Sequence, residues 1–346
     1  MNLSGVLPFP DFMFMKDIRK LQTTANGTYI VTIPKAWVES LGITKGDPLS
    51  LSIQGSDISI TPVSRKIQGP GTRSISVEDF TDERLLEMCI TSSYIVGNDI
   101  MEVKSKMDSS HEWKKWVTDS LDGLLGVEIS EEYSGSIKLQ NLIDPFKFDL
   151  PMELKKFLNN AMAVLNDSIR ALKEMRSDLA SDALRRGKEQ IKSYRFLMRL
   201  ATLSSRSVEL REHYGFHNVQ KLMIEVIAIR EMGRMSYYAM RTAQHVTEIR
   251  NPLKQNFLRH LEAMSGITAE MSLKAFDSLN ASDIKGAAEV LELMDGVRKH
   301  FMQVHELEKD LPANDRLPMT LIIRGIRAMA GYAVALADDA VLNIYA

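Results

Sequence analysis

RKLQTTANGTYIVTIPKAW, residues 19–37, runs on through three further residues into LGITKGD, residues 41–47. Ala25-Asn26-Gly27 is a turn, because Asn and Gly tolerate the positive φ that tight reversals require. Tyr29, Val31 and Ile33 then alternate as one face of a strand. Pro34 stands where a helix begins and Gly42 where it ends, bracketing Lys35–Leu41. Beyond it, Leu49, Leu51 and Ile53 alternate with Ser50 and Ser52, and Ile58 and Ile60 flank Ser59. These are two half-buried strands, and Gln54-Gly55-Ser56-Asp57 between them reads as a hairpin turn. Four short strands around one short helix are too little chain to close a core. A dimer sharing its core is the physical solution.

Outward from this module the composition is that of an ordinary globular protein, with 45% apolar and 25% charged residues over 346 positions. That length predicts two or three domains. The single cysteine, Cys89, has no internal partner, which is compatible with a reducing compartment. The net charge of −2 is unevenly spread. Residues 16–66 are net basic, 72–150 strongly acidic and 151–346 mildly basic, as expected of three units with different surfaces. No apolar run of about 18 residues is found, so no membrane insertion is expected. Met1 to Met15 is apolar but lacks a basic n-region and carries Pro8 and Pro10. It reads as a loose leader, not a secretory signal, and the expected location is cytoplasmic.

Residues 64–71 read as a linker. The segment 72–146 then alternates strand and helix: Ser74–Glu78, a helix from Asp82 to about Val96, Ile100–Lys104, a helix around Glu112–Leu125, Val127–Glu131 and Ile137–Leu139. This βαβαββ order fits a small α/β sandwich. From 152 to 346 the chain reads as almost wholly helical, with apolar residues at three- and four-residue spacing over 157–210, 216–250, 254–281, 284–310 and 318–344. A weak repeat divides it into about 153–250 and 254–346. Ser168–Leu172 resembles Ser272–Phe276, and Ile229–Gly233 resembles Ile326–Ala330, which suggests a duplicated three-helix unit.

The opening stretch, with its basic strand, Gly turn, Ile-Pro-Lys strand end, single helix and Gly-Ile-Thr-Lys-Gly-Asp, resembles the SpoVT/AbrB-like swapped-hairpin family. That resemblance implies a barrel closed by two chains, gripping DNA with the first strands. The positions it marks here are Arg19, Lys20, Thr23, Asn26 and Lys35, spanning the domain 16–64. The helical region resembles PhoU, a regulator of phosphate uptake built as a duplicated three-helix bundle. The whole order is similar to archaeal PhoU-like phosphate uptake regulators. The resemblance implies a phosphate-responsive transcriptional regulator, homodimeric through its barrel. The alternative it leaves open is an adaptor that restrains a phosphate transporter subunit or a sensor kinase, with the barrel serving only to dimerise.

PhoU third helices carry carboxylates that help bind metal. Here the matching places hold Arg230 and Arg234 in one half and Arg327 and Gly331 in the other, and Arg offers no oxygen ligand. No metal site and no cofactor are therefore expected. With Arg324, one turn before Arg327, the arginines are instead candidate anion-binding residues, since guanidinium groups match phosphate oxygens bidentately. Stem packing with solvated heads is the plainer explanation. His213 and His217 stand at metal-pair spacing, but Gly215 between them favours an exposed loop. The fourteen methionines from 152 onward read as core packing, with a docking surface as the minority reading. The basic run Arg170–Arg211 is a solvated face or meets an acidic surface, including residues 72–150 of the same chain. No P-loop, nucleophile elbow, Cys/His cluster or His-Glu-x-x-His helix is found, and the chain is not expected to be an enzyme.

Overall fold

The computed structural model describes residues 16–54, 57–62, 71–80, 82–106 and 112–346. The leader, the hairpin tip Gly55-Ser56 and the linker up to residue 70 lie outside the described residues. The chain divides into two compact units between Gly69 and Pro70.

In the first unit, β1 (Gln22–Thr23) pairs antiparallel with β2 (Tyr29–Ile30), Thr23 opposite Tyr29. The turn between them is closed by Gly27 N–H donating to the Thr24 carbonyl at 3.0 Å, with Gly27 at φ 80°. The expected strand through Ile33 stops at Ile30, because within one chain β2 has only the two-residue β1 to pair with. Helix α1 (Lys35–Ser40) follows Pro34, and Gly42 at φ 63° ends it, with Ile43 N–H donating to the Val38 carbonyl. Asp47 then accepts from the Thr44 amide at 2.7 Å and its hydroxyl at 3.0 Å, fixing the turn into β3 (Leu49–Gln54). β3 and β4 (Asp57–Pro62) form a six-residue hairpin. Among the described residues the two hairpins make separate two-stranded sheets, with no barrel closed between them.

The second unit begins with the βαβαββ segment. The sheet order is β5 (Thr72–Ser76), β6 (Ile100–Lys104), β8 (Ser136–Asn141), β7 (Val127–Tyr133), with β5 parallel to β6 and the other pairs antiparallel. α2 (Glu83–Ile95) and α3 (Glu112–Leu121) bury Leu86, Ile90, Trp113 and Val117 with Met101, Val103, Ile137 and Leu139 of the sheet. β5 lies two residues earlier than expected, which puts Ile75 into this core.

The helices are α4 (Leu150–Glu174), α5 (Ser177–Arg206), the short α6 (Val208–His213), α7 (Val219–Val246), α8 (Gln255–Ala281), α9 (Ile284–Leu307) and α10 (Ala313–Tyr345). α4, α5 and α7 pack together, as do α8, α9 and α10, and the two sets meet through α7 on α10 and α4 on α8. The stretch of helical spacing over 157–210 is broken at Met175, which takes a left-handed conformation at φ 51° and caps α4. Ser282 does the same at φ 52° after α8. The two caps pair Leu172 with Leu279, whose carbonyls accept from Met175 and Ser282. The sequence match of Ser168–Leu172 to Ser272–Phe276 is therefore three residues out of register.

α10 starts at Ala313 and not at Pro318, and carries that proline within its second turn. Its start is held by Asp315, fully buried, whose carboxylate accepts from the Arg250 and Asn251 amides at 3.1 and 3.2 Å. Among the described residues, α10 is the one helix long and apolar enough to cross a membrane; half of its apolar window is buried within the protein. Met232, Met235, Met264, Met271, Met319 and Met329 are fully buried in the same core.

Candidate functional site

The first unit presents its candidates on an exposed, weakly constrained surface. Arg19, Lys20, Thr23, Asn26 and Lys35 are all exposed. Arg19 donates to Asp17 at 2.6 Å, and Lys35 stands 3.5 Å from Glu39 across one helical turn. Both pairs are solvated and contribute little energy, so neither charge is tied down. Lys20 has no ion pair among the described residues. Thr23 sits in β1 and Asn26 in the turn beyond it, so strand and turn bring four of the five candidates into one stretch, with Lys35 opening α1.

The same unit has no buried side chain among its described residues. Ile18, Leu21, Tyr29, Leu51, Ile53 and Ile58 are between 66% and 84% exposed. Isolated exposed apolar residues are unremarkable, but here the apolar residues of several described strands are exposed together.

In the second unit, α5 and α7 cross with glycine on both sides. A Cβ at Gly187 would lie 2.9 Å from the Met240 Cβ, and one at Gly233 would lie 2.5 Å from the Tyr194 ring. Beside this crossing lies a groove of 290 Å³ lined by Gln190 and Tyr194 of α5 and by Arg230, Arg234 and Tyr237 of α7. Arg230 and Arg234 are exposed, one turn apart, and neither is hydrogen-bonded or ion-paired to a described residue. Gln190 is 7% exposed, and its buried Oε1 accepts no hydrogen bond. The other arginine pair behaves differently. Arg327 lies over the Phe301 ring at 4.3 Å, and neither it nor Arg324 lines this groove. The structure therefore separates the four candidate anion-binding residues into one pair that shares a groove and one pair that does not.

Three acids of α7 and α10, Asp339 buried and Glu225 and Glu231 half-buried, are held partly out of water. Asp339 of α10 is 5% exposed and its Oδ2 has no partner. Burial, with Glu231 and Asp338 adding to it, pushes its carboxyl up to about 7. Burial and then Asp339 likewise push Glu225 up to about 7. Burial also raises Glu231, against the opposing pull of Arg234 and Arg230. These acids interact through their charges, yet among the described residues no three His, Cys, Asp or Glu side chains are grouped to hold a metal ion.

The basic run of α5 meets the acidic α/β segment within the second unit. Arg199, 2% exposed, donates to the carbonyls of Tyr94 and Asn98 and to the Asp99 carboxylate, with its guanidinium 4.8 Å from the Tyr94 ring centre. Arg195 donates to Glu87 at 3.1 Å. His213 and His217 are exposed on either side of Gly215, at φ 79°. Sequence reasoning missed Gln190, Tyr194 and Tyr237. Gly187 and Gly233, glycines inside otherwise regular helices, were the available signal for a close helix crossing.

The class of protein is a chain with a β-rich N-terminal module ahead of an α/β and helical unit. A family model described as "Antidote-toxin recognition MazE, bacterial antitoxin" matches residues 22–68, so the N-terminal unit carries a MazE/AbrB-like domain. The chain has no match among curated proteins.

Proposed function

We propose that this protein is a DNA-binding, phosphate-responsive transcriptional regulator of phosphate uptake, dimeric through its N-terminal domain, and not an enzyme. The observation that carries the dimer and its barrel is the absence of any buried side chain among described residues 16–62, beside strands whose apolar faces are uncovered. A second copy would cover those faces and join the two hairpins of each chain into one closed sheet. It would also double the number of Arg19, Lys20 and Lys35 side chains on one surface, and phosphate neutralisation by such residues supplies most nonspecific DNA affinity. The match to a family described by antitoxin function supports a regulatory role for this domain. The phosphate connection rests on the PhoU resemblance, supported by two three-helix sets packed through α7 and α10.

The test is fluorescence anisotropy of the full-length protein on a random-sequence duplex over a salt series, with light scattering on the same sample. A dimer whose affinity falls steeply with salt is expected. A dimer that leaves DNA unbound at low salt would overturn the reading in favour of protein contact, whether with a transporter, a kinase or a toxin.

A further inference from the structure

We infer that the groove between α5 and α7 is a binding site for a nucleotide-like ligand, a phosphate ester carrying a planar ring with an N–H donor. This deepens the proposed function by naming the chemistry of the effector, and rests on that reading only for its biological meaning.

Three features of the groove each ask for a different part of such a molecule. Arg230 and Arg234 point one cationic head after another along the same helix face, and no described hydrogen bond or ion pair occupies either. Glu231 lies between them in sequence and interacts with both through charge, but it does not line the groove, whose own charged lining is the two guanidiniums. Two guanidiniums one turn apart match the oxygens of a phosphate monoester, which accepts several bonds in parallel.

The size and walls suit a molecule larger than an ion. The groove measures 290 Å³, near the lower end of small-molecule pockets at roughly 300 Å³. Its walls include the half-exposed ring of Tyr237, the Tyr194 ring and the Met240 side chain. Such a surface leaves an inorganic anion most of its space unfilled but suits a flat ring that stacks on tyrosine.

The third feature is Gln190. Gln190 lines the groove, and its amide oxygen is sealed from water and unpartnered, a costly state that a small rotation of the side chain toward a donor in the groove would relieve. A ring N–H or an exocyclic amine supplies that donor, as a nucleobase does. Sugar phosphates offer hydroxyl donors but no flat ring, so they satisfy two of the three features.

Isothermal titration of the full-length protein with AMP, GMP, CMP and UMP, with ribose 5-phosphate and with inorganic phosphate separates these sources. At least one nucleotide is expected to bind about tenfold or more tightly than ribose 5-phosphate, and inorganic phosphate most weakly. Arg230→Gln with Arg234→Gln should weaken that nucleotide about tenfold or more, and Gln190→Leu should weaken both the nucleotide and ribose 5-phosphate about fivefold. The exposed arginine variants should melt and bind DNA as the parent does, so failure of the groove and failure of the DNA-binding reading are told apart. The inference is overturned if no nucleotide binds more tightly than ribose 5-phosphate, or if the double arginine variant retains the parent's affinity.

Discussion

Arg199→Met tests how the second unit is held together. The native guanidinium is 2% exposed and satisfies two backbone carbonyls and the Asp99 carboxylate. Methionine fills similar volume but donates nothing. The Asn98 carbonyl then loses its described donor, while Tyr94 keeps the Gly97 amide at 3.0 Å. Asp99 is left with only a long contact to Asn141 at 3.5 Å. Breaking a buried ion pair by removing one partner costs about 3–5 kcal/mol. Partial exposure of Asp99 and the packing of Met reduce this to about 2–4 kcal/mol. At about 2–4 °C per kcal/mol for a unit of this size, the melting temperature should fall by roughly 5–15 °C. Calorimetry of the parent, Arg199→Met, Asp99→Asn and the double variant gives the coupling directly, expected to be about 1.5 kcal/mol or more. A single variant within about 1 kcal/mol of the parent, or a coupling near zero, refutes the idea that this contact joins the α/β segment to α5.

Replacing Arg19 and Lys20 together by Ala should weaken binding to all DNA sequences alike and flatten log affinity against log salt by about 0.9 per lost contact, or roughly 3–4 for a dimer; an unchanged slope removes this strand from the interface. Replacing Asn26 or Thr23 should instead relax sequence preference with little change in slope, as measured on a panel of duplexes. His300 and His260 face each other with their Nδ1 atoms 3.0 Å apart, and burial, then His260, Lys299 and Arg259, lower the His300 pKa. The folded state therefore binds fewer protons than the unfolded chain just below the usual histidine pKa, and this stability is present above about pH 6.5 and lost as pH falls. His300→Gln should flatten the fall in urea midpoint between about pH 7 and 5, and an unaltered fall would assign it to other groups. Asp339 has the opposite sign: its raised carboxyl stabilises below its unfolded pKa and loses that contribution as pH rises through about 7. Asp339→Asn should therefore gain on the parent by an order of 2–4 kcal/mol between about pH 4 and 8, read from denaturant titrations at those two pH values; a constant difference between them would show that the Asp339 carboxyl is not raised by its surroundings.

The sequence by itself determined what is local. Gly27 and Gly42 marked the reversals where they adopt positive φ, and Pro34 marked the start of α1. The βαβαββ order and most helix spans followed from apolar periods of two and 3.6, because those periods are set by backbone geometry within each element. The DNA-facing candidates were legible for the same reason, since they lie close together along one strand and its turn. Positions fixed by long-range contact were not legible. A turn after Leu172 was in the pattern, but Met175 and Arg176 are good helix formers, and nothing local marks Met175 as the left-handed cap between the packed helices α4 and α5. The apolar helical spacing opened at residue 318, but Asp315 reaches back to Arg250 and Asn251 and anchors the helix five residues earlier. Arg230 and Arg327 looked equivalent in sequence; the crossing at Gly187 and Gly233 gives one a groove, and Phe301 covers the other. Arg199 read as one more charge on a basic helix. Only the docked α/β segment, which removes it from water, makes it an internal anchor, because the worth of a charge depends on what surrounds it once the chain has folded.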